Sequence, residues 1–213
     1  MIRCIKVYEV IETNCYLYLD DETMHGFIID PGAYGDEICD FVMENGITLE
    51  KILLTHGHFD HIGGVNTIKA RLGAPIVASQ KAREYLMDPM KNLSANHGLN
   101  TIIDIDDEDE FLPDGSEIEL SSNPDMTLIL IETPGHTEDG CVYYNERDSV
   151  CFCGDTIFRA SIGRTDMYGG DTDTIEKSIR ERIYALPDET NLLSGHTDPT
   201  TVGLEKKYGY FRA

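Results

Sequence analysis

The chain has 213 residues, 41% hydrophobic and 26% charged, which fits one globular domain over 1–213 and excludes wholesale disorder. Its 17 Lys and Arg stand against 39 Asp and Glu, a formal charge of −22, so nucleic acid is a poor partner. The longest apolar stretch, around Leu128–Ile131, is far short of the roughly 20 residues a membrane span needs, and Lys6 and Glu9 break any apolar core of an N-terminal signal. The expectation is a soluble, cytoplasmic protein that acts on a small molecule.

The start alternates like strands over Ile2–Val10, Cys15–Leu19 and Phe27–Ile29, the last ending at Asp30-Pro31-Gly32. Asp36–Gly46 carries Ile38, Phe41 and Val42 at helical spacing. A short strand over Ile52–Leu54 precedes an amphipathic helix over Ile62–Leu72, ended by Gly73, and Ile76–Ala78 is a further strand. Gln80–Asn100 reads either as a helix with a mobile cover over a cleft or as a plain surface connection. Asp104–Glu110, six acids in seven residues, reads as a solvated loop. Strands follow at 117–120, 127–131, 141–144 and 150–152. A helix over Thr174–Leu186 places Ile175, Ile179 and Ile183 on one face, and Leu192–Leu193 is a last strand. Helices fall between strand groups in both halves, which predicts an α/β (α+β) domain with helices outside two sheets.

The informative segment is Thr55-His56-Gly57-His58-Phe59-Asp60-His61. Three histidines and an aspartate fall within six positions, after a strand and before a helix. Neutral imidazole and carboxylate are the ligands borderline divalent metals prefer. Buried groups of this polarity need a partner, so packing alone does not account for them. In an extended turn His56 and His58 share one side, while Asp60 and His61 face a second ion. Three later strands each lead through glycine to a ligand-type residue: Gly135-His136, Gly154-Asp155 and Gly195-His196. Glycine there allows a sharp turn at the strand edge. His25 and His97 lack such context and receive no role.

In this pattern the chain resembles the metallo-β-lactamase superfamily: His56, His58, Asp60 and His61, then His136, Asp155 and His196. The resemblance runs from Asn14-Cys15-Tyr16 to Thr200–Lys206 and matches Asp30 to a residue behind the ligands. It implies a four-layer αββα sandwich with two divalent metal ions at one edge, zinc in the first place with iron or manganese as alternatives. It also implies that His56, His58 and His136 hold one ion, that Asp60, His61 and His196 hold the other, and that Asp155 bridges them. The resemblance gives Asp60 a further, catalytic role in orienting a hydroxide. Asp88–Ser94, Gly163–Asp166 and Thr200–Lys206 look most like the glyoxalase II-like hydrolases, which implies cleavage of a small thioester such as S-lactoylglutathione or a related ester. An iron-dependent persulfide dioxygenase, a lactone hydrolase and a non-enzymatic metal-binding protein are the competing readings. Cysteine at position 155 in many class B β-lactamases argues against antibiotic hydrolysis.

Two departures stand out: Thr197-Asp198-Pro199 follows His196, and Gly209-Tyr210-Phe211 stands near the end. Only 17 residues follow His196, so the resemblance carries the metal site but not the substrate contacts. Tyr16, Lys206 and Tyr210 are candidate substrate contacts. Arg164 and Asp166 read as a buried ion pair that shapes a loop, in preference to a border of the pocket. Cys4, Cys15, Cys39 and Cys141 read as small buried hydrophobes. Cys151-Phe152-Cys153 alternates like a strand and lacks the gap of a zinc or redox pair.

Overall fold

The computed structural model describes residues 1–212. Its first sheet holds six strands in sequence order: β1 (Ile2–Tyr8), β2 (Glu12–Leu19), β3 (His25–Ile29), β4 (Thr48–Leu53), β5 (Ile76–Ser79) and β6 (Glu110–Leu112). Antiparallel pairing from β1 to β3 gives way to parallel pairing from β3 to β6. The second half supplies β7 (Glu117–Ile118), β8 (Leu128–Glu132), β9 (Cys141–Asn145) and β10 (Val150–Gly154), a small hairpin of β11 (Ile157–Phe158) and β12 (Ser161–Ile162), then β13 (Asn191–Ser194) and β14 (Thr200–Thr201). The second sheet runs β14-β13-β10-β9-β8-β7, and β10 and β13 lie parallel.

Side-chain alternation explains the layers, because successive residues of a strand point to opposite faces. In β2, Cys15, Leu17 and Leu19 join one buried cluster while Tyr16 and Tyr18 join another. Ile52 divides from Leu53 in β4 in the same way, and Ile76 from Val77 in β5. The first cluster lies under the helices α1 (Gly35–Glu44), α3 (Val65–Leu72) and α4 (Ala82–Leu86); the short α2 (Phe59–Ile62) precedes α3. The second cluster joins the two sheets, with Tyr143 and Phe152 facing Tyr16, Tyr18 and Phe27. The far face of the second sheet offers Val142, Cys151 and Cys153 to Ile175 of α5 (Thr172–Ser178) and Val202 of α6 (Val202–Tyr208). The result is helix, sheet, sheet, helix, as the resemblance implies.

Several local expectations need correction. Helix α5 starts at Thr172, where the Asp171 carboxylate accepts from the Thr174 N–H at 2.7 Å, and it widens into a π-turn over Ile179–Ile183. Ile175, Ile179 and Ile183 are buried as the spacing requires. Cys4 is exposed on the edge strand β1; the other five cysteines are buried. The acidic stretch is not wholly solvated. Asp109 is enclosed, paired with Lys69, and accepts from the Ile76 N–H at 2.8 Å. The β11–β12 hairpin and α6 carry no periodicity long enough to read.

Gln80–Asn100 carries the helix α4 and, through Leu93 and His97, a wall over the cleft, fastened by side-chain hydrogen bonds. Fully buried Asn92 donates to the carbonyls of Tyr85 (3.1 Å) and Thr101 (2.9 Å) and accepts from the Ser94 N–H (3.0 Å). Its own carbonyl accepts from the Phe59 N–H at 2.9 Å, which ties the wall to the histidine-rich turn. Asn92→Ala removes the partners of the buried Ser94 N–H and the part-buried Thr101 carbonyl and should lower unfolding stability by about 2–4 kcal/mol. Urea denaturation with an unchanged slope checks it.

Candidate metal centre

All seven candidate ligands leave the carboxyl ends of strands. The turn after β4 carries His56, His58, Asp60 and His61; the ends of β8, β10 and β13 lead to His136, Asp155 and His196. In sheets with parallel strands, that end is where ligands bind. Two glycines permit the convergence. Gly154 turns with φ of 45°, and a Cβ on Gly195 would collide with Asp155 Oδ1 and lie 2.7 Å from His61 Cε1.

The structure brings the seven together in three overlapping groups: His56, His58 and His136; His56, His61 and Asp155; Asp60, His61 and His196. Six of them are buried and His196 is half-buried. In the first group, His58 Nδ1 lies 3.1 Å from His56 Nε2 and 3.0 Å from His136 Nε2. Their outer partners set the tautomers. His136 Nδ1–H donates to the Arg164 carbonyl at 2.7 Å. Thr55 Oγ1 donates to Asp30 at 2.6 Å, so it accepts from His56 Nδ1–H at 3.2 Å. Lone pairs of His56 and His136 therefore aim at His58 Nδ1, and a cation is what such a triangle suits. Their ligand atoms lie close enough together to hold one ion. Burial, then neighbouring imidazoles, push His56 well below its usual value; burial and His136 push His58 down to about 3. Both are neutral, metal-ready bases at pH 7.

The second group is held just as firmly. His61 Nδ1–H donates to Asp30 Oδ2 at 2.9 Å, and His196 Nδ1–H to the Glu12 carbonyl at 2.7 Å. Both Nε2 atoms then face carboxylates: His196 lies 3.3 Å from Asp60 and 3.1 Å from Asp155, and His61 lies 3.7 Å and 3.5 Å from the same pair. Asp155 Oδ2 is also 3.6 Å from His136 Nε2, so its carboxylate spans both groups. Although burial opposes it, the charge of His61 holds Asp155 well below, and Asp60 down at about 2. Against burial, the carboxylates raise His61 well above its usual value and His196 to about 10. Protons there stand in for a cation. His61 Nε2 and Asp155 Oδ1 are buried without a hydrogen-bond partner, as unbound ligand atoms are. An all-nitrogen-and-oxygen set of this kind fits divalent metals of borderline hardness.

A cavity of about 310 Å³ opens over these groups, walled by Ile11, Phe59, Leu93, Phe158 and Met167. Arg164 and Asp166 do pair, but on the surface, with both side chains about two-thirds exposed. Arg164 also lines the cavity. His97, given no role above, lines it too and packs on Phe59 with ring centres 4.6 Å apart. Tyr16, Lys206 and Tyr210 do not line it. Tyr16 donates to the Ser194 carbonyl, Lys206 pairs with Asp188, and Tyr210 is exposed. The carbonyls of Glu12 and Arg164 orient two ligands, and a backbone carbonyl has no signature in sequence.

Residues 9–196 match the family model of the metallo-beta-lactamase superfamily, and the chain belongs to that family. It is 33% identical over 203 residues to the hydroxyacylglutathione hydrolase GloC of Haemophilus influenzae, covering 94% of this chain and 92% of that protein. The crystal structure of the BLEG-1 B3 metallo-beta-lactamase is similar at TM-score 0.90 and 33% identity, over 99% of both chains. That of TTHA1623 in a di-iron-bound form is similar at TM-score 0.83 and 27% identity, over 98% of this chain and 99% of that one.

One carboxyl was not anticipated. Asp139 is buried behind Gly57, where a Cβ would sit 3.2 Å from its Oδ2. Neither oxygen makes a hydrogen bond of good geometry, and burial pushes the group up to about 7 despite the nearby Thr137 hydroxyl. Between about pH 4 and 7 the unfolded chain ionises this aspartate while the folded chain keeps it neutral. Stability from this group is therefore full below pH 4 and lost as pH rises to 7. Asp139→Asn should gain on the wild type across that window, by up to a few kcal/mol at about 1.4 per pH unit, and level off above it. Parallel denaturation midpoints from pH 4.5 to 8.5 would contradict it.

Proposed function

We propose that this chain is a dinuclear metallohydrolase that cleaves a small thioester such as S-lactoylglutathione, or a related ester. The observation that carries the reading is the Asp155 carboxylate, which faces both the His58 side and the His196 side of one buried donor set. His56, His58 and His136 would hold one ion, Asp60, His61 and His196 the other, and Asp155 both. Zinc is our first assignment; iron or manganese suits the same donors, and a similar protein carries two irons. Bound divalent ions bring the pKa of a coordinated water from 15.7 to about 7 and polarise a carbonyl.

The residues present do the rest. Thr13 Oγ1 donates to Asp60 Oδ2 at 3.2 Å, which fixes that carboxylate beside His196, where it would accept a hydrogen bond from the attacking hydroxide or water and orient it. Ile11, Leu93 and Phe158 restrict bulk water around the reacting carbonyl. A leaving thiol has a parent pKa near 8.5, so departure needs no strong acid from the protein. The likeness to GloC supports the thioester. The likeness to the BLEG-1 B3 metallo-beta-lactamase keeps a β-lactam as the second reading. Six free cysteines support a reducing, cytoplasmic setting, no helix among the described residues is long and apolar enough to cross a membrane, and the acidic surface opposes nucleic acid.

Purified protein should carry about two metal ions per chain and release thiol from S-lactoylglutathione. His58→Ala should lose at least one ion and about 100-fold or more in rate while its circular dichroism is kept. Metal-loaded protein inert towards thioesters overturns the reading. Nitrocefin turnover would then support the β-lactam, and oxygen uptake with glutathione persulfide a dioxygenase.

A further inference from the structure

His56 and His58 are joined through Gly57, and a carboxyl group lies behind that glycine. We propose that Asp139 is the counter-charge of the first ion, a positioning residue that backs the His56–Gly57–His58 turn and strengthens the hold of His56, His58 and His136 on a divalent cation. The inference rests on the metal centre of the reading above and goes beyond it, because Asp139 belongs to none of the three donor groups.

Asp139 is held in place from several sides. Its carbonyl accepts from the Ser79 hydroxyl of β5 at 2.6 Å. The N–H of Glu138, the residue before it, donates to the Tyr85 hydroxyl of α4 at 3.1 Å. Two residues on, the Cys141 N–H donates at 2.8 Å to the carbonyl of Thr55, the residue before His56. The short loop that carries Asp139 starts at the candidate ligand His136, so it touches the first donor group from both its chain segments. With Tyr85, the carboxyl closes the back of the turn. A Cβ on Gly57 would sit 2.5 Å from Tyr85 Cβ and 3.2 Å from Asp139 Oδ2.

Electrostatics gives this carboxyl its part. Asp30, Asp60 and Asp155 gather on the His61 side of the centre. His56 and His58 are neutral, so on the first side a divalent ion meets lone pairs and, among the donors, only the shared charge of Asp155. Asp139 is 1% exposed, and neither of its oxygens has a hydrogen-bond partner. An asparagine of the same size would fill the place without burying an acid, so packing does not call for the carboxyl. A cation close by does, because it favours the ionised form. The Thr137 hydroxyl, buried and unpaired beside it, is the donor at hand for that form. The metal-free chain bears the penalty of the buried acid, and binding of the ion relieves it.

The test pairs zinc affinity at pH 8, from competition with a chelating dye, with urea unfolding of the metal-free protein. Asp139→Asn should weaken the product of the two stepwise zinc constants about tenfold. The metal-free variant should nonetheless unfold at higher urea than the metal-free wild type. A merely structural loss lowers both quantities together, whereas loss of a counter-charge moves them apart. In a His196→Ala background the first donor group stays complete, and Asp139→Asn should weaken the remaining ion by about the same factor. In a His58→Ala background it should make little difference. Unchanged zinc affinity, a joint fall in affinity and stability, or an effect confined to the His58→Ala background overturns the proposal. Thioester cleavage by a wild type whose Asp139→Asn variant keeps full zinc affinity leaves the hydrolase standing and removes the counter-charge. The expected zinc pattern in a protein inert towards thioesters does the reverse, and a wild type that binds no zinc removes both.

Discussion

One buried carboxylate sets the directions on which the centre depends. Asp30 ends β3 at φ 51°, a conformation aspartate tolerates better than most side chains. Its Oδ1 accepts from the Thr55 N–H at 2.8 Å, and its Oδ2 accepts from the Thr55 hydroxyl at 2.6 Å and from His61 Nδ1–H at 2.9 Å. The first contact pins the turn after β4 to the neighbouring strand. The second turns the hydroxyl so that it receives His56 Nδ1–H. The third leaves His61 Nε2 bare towards the carboxylates. One side chain thus chooses the tautomer of two imidazoles that serve different halves of the centre.

Electrostatics explains why so polar a cluster can be buried. Asp30, Asp60 and Asp155 carry three negative charges into a region nearly closed to water. Isolated, each would be costly. Two positive charges are needed nearby, and the positions facing His61 Nε2 and His196 Nε2 are where they belong, whether as protons or as a cation. His56 and His58 behave differently. Burial and the neighbouring imidazoles keep them neutral, so they offer lone pairs and no charge. A divalent ion answers both demands together, and binding it expels protons from the carboxylate side.

The residue types of this centre were legible because their density has no packing explanation: His56 to His61 supply four donors in six positions, and glycine precedes each later one. The sheet and helix layers were legible where alternation or helical spacing ran long enough, as in β2 and α5. Other features were hidden for physical reasons. The carbonyls of Glu12 and Arg164 are sequence-silent. Cys4 looked internal by its apolar neighbours, but strand order places it on an edge. The Arg164–Asp166 pair could be anticipated as a pair, whereas its exposure depends on where the chain after β12 runs. Asp139 is a lone acid in sequence; only the fold encloses it behind Gly57.

The division of labour between strand ends and loops bears on what the centre acts upon. Every candidate ligand is anchored by a strand end or by a buried hydrogen bond, and none tolerates a change of backbone path. The walls come from elsewhere: Ile11 from the turn after β1, Leu93 and His97 from the Asn92-fastened segment, Phe158 from the small hairpin, and Arg164 and Met167 from the chain beyond it. The hairpin itself is braced from behind, where buried Glu205 of α6 accepts from the Ala160 N–H at 3.0 Å. Side-chain substitutions in these walls alter shape and charge over the metal centre without replacing any of the donors. Reaction type is therefore a property of the strand ends and selectivity a property of the loops, which is why the seven donors alone do not name the substrate.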